Sequence, residues 1–271
     1  MGSTWYHLFT KNKPFFMLIL GLLVGSFLNV IIYRLPRKID WIFKRSFCPS
    51  CNTQVSWYDN IPMLSFFILK RKCRLCGQKI NIRYFLVEGL TATLFCIYSV
   101  YIFNNGPILY HVINLSIICL LICHFFIDLE HFLLLDRINF FLLLLLIAFQ
   151  FFFEPIPWPQ ALFGMLLGFL VPYGIAWLFF KYSGKDGLGG GDIKLFTILG
   201  LQLGPVGIFE NLFISSLLGI VGGLIYLSLQ RSRVLKQPIP YGPAIIIAYL
   251  YQTYLSKYLN INFEHLFTLN L

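Results

Sequence analysis

The chain has 271 residues, 58% of them hydrophobic and only 12% charged. A soluble globular domain carries roughly 25% charged residues, so this one has about half the supply needed to cover a water-facing surface, and its natural solvent is the bilayer. The net charge of +10, from 21 Lys and Arg against 11 Asp and Glu, does not point to nucleic acid: no basic-aromatic module is visible, and the cations flank apolar runs, which is the positive-inside pattern.

A hydrocarbon core of about 30 Å takes roughly 20 residues of helix to cross. The first such run covers 14–33 and is followed at once by Arg34, Arg37 and Lys38. Lys11 and Lys13 precede it, as they would precede a signal peptide. The run is long for that role, lacks a small-x-small cleavage site and has its stronger basic flank on the C-terminal side. It reads as a retained transmembrane helix. Residues 34–83 are the one extended polar stretch and carry eleven of the cations. Apolar runs then follow at about 84–103, 107–127, 132–153, 160–180, 193–206, 208–230 and 240–256, with turns at Asn104-Asn105-Gly106-Pro107 and Glu154-Pro155-Ile156-Pro157. The run at 193–206 is short and punctuated by Gly200, Gly204 and Pro205.

The predicted fold is therefore all-α and polytopic, with about eight transmembrane helices and a small cytoplasmic domain between the first two. Its parts are 1–33 (tail and first helix), 34–83 (polar domain) and 84–271 (the remaining bundle). Orientation follows from charge. With 34–83 in the cytoplasm and the N-terminus external, Arg137, Lys181, Lys185, Lys194, Arg231, Arg233 and Lys236 also fall inside, leaving Lys11, Lys13 and Lys257 outside.

Cys48-Pro49-Ser50-Cys51 and Cys73-Arg74-Leu75-Cys76 form two C-x2-C pairs twenty-one residues apart. Each pair wraps a turn that aims two thiolates at one ion, and two facing turns supply a tetrahedral four-sulfur shell for Zn²⁺. Gly77 stands where a knuckle turn needs positive φ. A domain this small also gains from a metal staple. The competing reading is two disulfides or redox pairs, which a cytoplasmic location disfavours. Four thiolates leave no open position, so the zinc is expected to be structural. Cys96, Cys119 and Cys123 lie in apolar runs and read as small hydrophobes.

Asp128, Glu130 and Asp136 lie between the third and fourth runs, and Gly187-Leu188-Gly189-Gly190-Gly191-Asp192 precedes the sixth. In the topology above both acid clusters sit at the cytoplasmic face, where they can meet. Two neighbouring carboxylates share one proton, so one can activate water while the other polarises a carbonyl. Gly189, Gly190 and Gly191 would let a substrate backbone approach. A plainer reading has Asp128 capping the following helix, Asp136 pairing with Arg137 or another nearby base, and Asp192 as an N-cap. His124 and His131 read as helix-end hydrogen-bonding residues rather than proton carriers.

Taken together, these motifs resemble the type IV prepilin peptidase family, the bifunctional leader peptidase and N-methyltransferase of pilus and type II secretion systems. Gly25-Ser26-Phe27-Leu28-Asn29 through Arg34-Leu35-Pro36 resembles its first-helix signature. Cys48-Pro49-x-Cys51, Asp59-Asn60-Ile61-Pro62, Cys73-Arg74-x-Cys76-Gly77, Arg83-Tyr84 and Val87-Glu88 follow its cytoplasmic domain in order. Asp128-Leu129-Glu130, Asp136, the Gly187-to-Leu195 segment and Pro240-Tyr241-Gly242-Pro243 match its later segments. The resemblance implies a GxGD-type aspartyl protease with Asp128 and Asp192 as the catalytic pair. It implies cleavage of prepilins and pseudopilins after a glycine at the cytoplasmic face of a bacterial inner membrane, then methylation of the new N-terminus from S-adenosylmethionine.

Departures from the family pattern are Glu130 for Asp, Leu135 for Pro and Phe85 for Pro. No G-x-G-x-x-G follows a strand, so the methyl-donor site is sought at Glu88, Asp59 and Asn60. Two other readings stand beside this one. One is an ion- or proton-coupled transporter with Asp128 and Asp192 as ligands at broken helices; the other is a non-enzymatic assembly platform whose zinc domain binds partners.

Overall fold

The computed structural model describes residues 2–40, 42, 45–103, 106–229 and 240–256, with side chains from residue 12 onward except at 226, 227 and 229. Arg231, Arg233, Lys236 and Lys257, which enter the charge count, lie outside the described residues, as do Asn104 and Asn105 of the first predicted turn.

The described residues fold into helices α1 (Gly2–Arg34), α2 (Leu64–Ile68), α3 (Ile82–Tyr101), α4 (Ile108–His131), α5 (Asp136–Phe153), α6 (Trp158–Ser183), α7 (Gly190–Leu229) and α8 (Gly242–Leu250). A single 3₁₀ turn covers Trp57–Asn60, and a π-helical turn, Tyr251–Leu255, prolongs α8. Six helices among the described residues are long and apolar enough to cross a membrane. The outer faces are apolar as well as the inner ones, as lipid requires. On α5, Ile138, Asn139, Leu142, Leu146, Phe149 and Gln150 are buried at helical spacing, while Phe140, Phe141, Leu144, Phe151 and Phe152 are exposed.

The helix α7 accounts for two of the predicted spans. It breaks at Gly204, with φ 68° and ψ −174°. Pro205 next in line disfavours α geometry at Gly204 and lacks an N–H of its own. Tyr241 shows that the chain reverses there. Its ring lies 6.1 Å from the ring of Phe196, and its hydroxyl meets Ser215 Oγ at 2.9 Å. A straight helix at 1.5 Å per residue would separate positions 196 and 215 by about 28 Å. With α8 and its π-helical turn, each of the eight predicted segments is helical over its described residues.

The chain divides into two compact units, residues 1–111 and 112–271. In the first, α1 and α3 pack backbone to backbone: a Cβ on Gly21 would stand 2.6 Å from Ala92 Cα, and one on Gly25 2.8 Å from Glu88 Cα. In the second, a Cβ on Gly164 would stand 2.4 Å from the Gly200 carbonyl oxygen, and one on Gly168 2.5 Å from that of Phe196. Without a hydrophobic drive between helices in lipid, such close packing is what holds them.

Candidate active site

Four helix ends of the second unit build the site. Asp128 stands in the last turn of α4, Asp136 opens α5, Asp192 lies in the first turn of α7, and Gly242 opens α8. The first amides of a helix have no partner within it. At α8 that vacancy is filled from a distance: the Gly242 N–H donates to Asp128 Oδ2 at 3.0 Å. Asp128 therefore caps α8, not the helix that follows it in the chain: it lies within α4, three residues before that helix ends, and Leu135 stands at the N-cap position of α5. Asp192 is the third residue of α7 and not its N-cap. Its own N–H donates to the Gly189 carbonyl at 3.0 Å.

Leu134, in the turn between α4 and α5, ties the two acids together. A Cβ on Gly242 would lie 3.2 Å from Leu134 Cδ2 and 2.8 Å from Asp128 Oδ2, and one on Gly191 2.9 Å from Leu134 Cβ. Asp128 is buried and Asp192 half-buried, and the charge of the first acts on the second. The neighbouring acid Asp136 is exposed and pairs with Lys194 Nζ at 2.7 Å, fastening the start of α5 to that of α7. The partner is Lys194 and not Arg137.

The three glycines before Asp192 differ in their surroundings. A Cβ on Gly189 would lie 2.9 Å from Asp192 Oδ2, and one on Gly191 would meet Leu134, whereas one on Gly190 would meet nothing within 4 Å. His124 is not a helix-end residue: it is fully buried, and neither ring nitrogen finds a hydrogen-bond partner among the described residues. The helix continues past it for nearly two further turns, so no free backbone group is within reach.

In the first unit the four cysteines form two matching knuckles. The N–H of Cys48 donates to the Thr53 carbonyl, and that of Cys73 to the Gln78 carbonyl, each 2.9 Å away; Asn52 and Gly77 donate back to the carbonyls of Cys48 and Cys73. Both return residues have positive φ, 56° at Asn52 and 69° at Gly77. Antiparallel bridges Phe47–Gln54 and Lys72–Lys79 close the two turns in the same register. All seven cysteines are free thiols. The four Sγ atoms of the quartet lie within 4.8 Å of one another, Cys48 and Cys76 being 3.8 Å apart. A tetrahedron with Zn–S of about 2.3 Å puts sulfurs about 3.8 Å apart, so the quartet fits that ion. The Thr53 hydroxyl and backbone N–H push the Cys51 thiol down to about 6, and the N–H groups of Cys76 and Leu75 lower that of Cys73. One thiol of each knuckle is thus eased toward the thiolate that metal ligation requires, while burial and the neighbouring thiols push that of Cys76 up to about 11.

A chain of contacts runs from the second knuckle to α3. Arg74 holds both oxygens of Asp59, at 2.9 and 2.6 Å, keeping that carboxyl below the usual aspartate range. Asp59 and exposed Asn60 end the 3₁₀ turn. Three residues on, Met63 has φ 57°, and its N–H donates to buried Glu88 Oε2 at 2.7 Å. Met63 and Gly242 were not assigned roles from sequence. Only the Pro240–Pro243 motif pointed toward the second, and nothing local marked the first.

Residues 115–224 match the type IV leader peptidase family, and residues 19–102 match the bacterial peptidase A24 N-terminal domain. A prepilin leader peptidase/N-methyltransferase of Xanthomonas campestris is 37% identical over 84% of this chain and 86% of its own length. Those of Klebsiella pneumoniae and Vibrio cholerae are 36% and 33% identical, over 77% and 86% of this chain and 94% and 92% of theirs. No solved structure matches the chain.

Proposed function

The chain belongs to the type IV leader peptidase family, and from that footing we propose how its residues divide the work of a prepilin leader peptidase and N-methyltransferase. It is a multi-pass protein of the bacterial inner membrane that cleaves the leader peptide of prepilins and methylates the N-terminus so exposed. The transporter reading gains no support, since these relatives carry the peptidase name.

Asp128 and Asp192 are the catalytic pair. One takes a proton from the attacking water while the other, protonated, donates a hydrogen bond to the scissile carbonyl; the tetrahedral intermediate then collapses with proton transfer to the leaving amine. No covalent enzyme intermediate is needed. The observation that supports this reading is that Leu134 abuts both Gly242, which donates to Asp128, and Gly191, the residue before Asp192, so that helices far apart in sequence bring the two acids to one place. Gly190, with open space at its Cβ position, is where a substrate backbone comes nearest, flanked by Gly189 and Gly191.

We retain the division read from the sequence, 1–33 as tail and first span, 34–83 as a cytoplasmic domain and 84–271 as the peptidase bundle, with the N-terminus external. The excess of Lys and Arg in 34–83 supports that orientation. Cys48, Cys51, Cys73 and Cys76 hold a structural Zn²⁺ that fixes the two knuckles. S-adenosylmethionine supplies the methyl group. Glu88 offers the buried carboxylate that attracts a cationic ligand, Asn60 an exposed amide three residues before Met63, whose N–H meets Glu88, and Asp59 the anchor that ties this loop to Arg74. Pseudopilins, which share the prepilin leader, are substrates of the same site.

Incubating the purified protein with a prepilin and S-adenosylmethionine tests the reading. A shortened, methylated product is expected from the wild type. Asp128→Asn and Asp192→Asn should yield no shortened product while still inserting in membranes and methylating pre-cleaved pilin. Full cleavage by either variant would remove that residue from the chemistry.

A further inference from the structure

One turn before Asp128 on α4, His124 is 0% exposed, and Asn139 in α5 is 4% exposed. Both ring nitrogens of the first and both amide atoms of the second lack a hydrogen-bond partner among the described residues. The two side chains are close enough to interact. Turning the amide would pair one nitrogen with one amide atom at best and leave two polar groups over. Each buried polar group left unsatisfied carries its full desolvation penalty. The neighbours of His124 one turn away on the same face of α4 include the apolar Leu121 and Ile127. Buried waters typically make about three hydrogen bonds to groups of this kind.

Position supplies the rest. Residues four apart on a helix share a face, so His124 and Asp128 point to the same side of α4, one turn apart. On the far side, Asp128 Oδ2 is already held by the Gly242 N–H.

We propose that His124 and Asn139 bind an ordered water behind Asp128 and serve as positioning residues for its carboxylate. The inference rests on the catalytic role proposed above for Asp128. The backbone amide of α8 and this water hold the carboxyl from two directions, so its orientation is set before substrate arrives. Neither His124 nor Asn139 touches the substrate.

The test compares steady-state cleavage of a prepilin by wild type, His124→Leu, His124→Gln and the double variant His124→Leu/Asn139→Leu. His124→Leu should lower kcat about 10-fold with KM unchanged, less than the roughly 100-fold that a 1 Å misplacement can cost. His124→Gln should recover most of it. The double variant should stay slow although it buries no unpaired polar atom. Methylation of pre-cleaved pilin reports folding and should not change. A density map of the protein in nanodiscs that resolves waters should show one within hydrogen-bond distance of His124 and Asn139. A wild-type kcat in His124→Leu, full recovery in the double variant or a dry pocket overturns the proposal. If His124→Leu loses methylation too, the double variant and the map decide. Cleavage by Asp128→Asn would instead remove the reading underneath, leaving the water, if seen, without that role.

Discussion

Gly242 shows how much one missing methyl group controls. A Cβ there would stand 2.8 Å from Asp128 Oδ2 and 3.2 Å from Leu134 Cδ2, inside the distances real side chains keep. Gly242→Ala should therefore push the Asp128 carboxylate from its backbone donor and lower kcat for cleavage by about 100-fold, as small misplacements at a reacting centre do. Methylation of a pre-cleaved pilin should persist, and parallel assays on one preparation would show the split. Asp128→Asn behaves differently because an amide oxygen still accepts from the Gly242 N–H, so that variant removes the chemistry and keeps the cap. The exposed pair Asp136–Lys194 contributes little to stability, since exposed pairs are worth about 0–1 kcal/mol. Its effect is geometric, holding the start of α5 beside that of α7.

Elements are held here by close approach more than by bulk. Gly164 and Gly200 bring α6 and α7 so near that a Cβ on either would lie within 2.4 Å of the other's carbonyl oxygen. Gly200→Val should part the helices and lower the thermal midpoint of the purified protein in detergent, by several degrees for each roughly 1 kcal/mol lost. The knuckles depend on a different bond. Because a structural zinc supplies folding energy directly, Cys48→Ser or Cys73→Ser should release the metal. Metal analysis of the purified variant checks this, and limited proteolysis should find 34–83 opened. Unchanged zinc content in either variant would exclude the four-thiolate site.

For the whole molecule the expectation is separability. Asp128 and Asp192 belong to the second unit, while the cysteine quartet, Asp59, Asn60 and Glu88 belong to the first. Glu88→Gln should therefore reduce methylation while leaving leader cleavage intact, the reverse of the Asp192→Asn phenotype. Mass spectrometry of the pilin product reads both outcomes at once. Loss of cleavage in Glu88→Gln would show that the two activities share this carboxylate.

Much of this was legible along the chain, for physical reasons. Lipid demands long apolar helices, so hydropathy alone marked the spans. Four thiols at a knuckle spacing have few other uses, and Gly77 was read as a positive-φ turn residue from its place after Cys76. The two acids stood out because charge at a membrane boundary has to be satisfied. What the sequence could not carry was partnership across distance. That Asp128 caps α8 and not α5, that Asp136 pairs with Lys194, that Glu88 seats the N–H of Met63, and that His124 lies buried beside Asn139 with no hydrogen-bond partner among the described residues all depend on which helices meet. Local propensity and spacing act within a few residues, whereas these contacts join positions from 15 to over 100 residues apart. They are settled only when the glycine-lined helices close on one another.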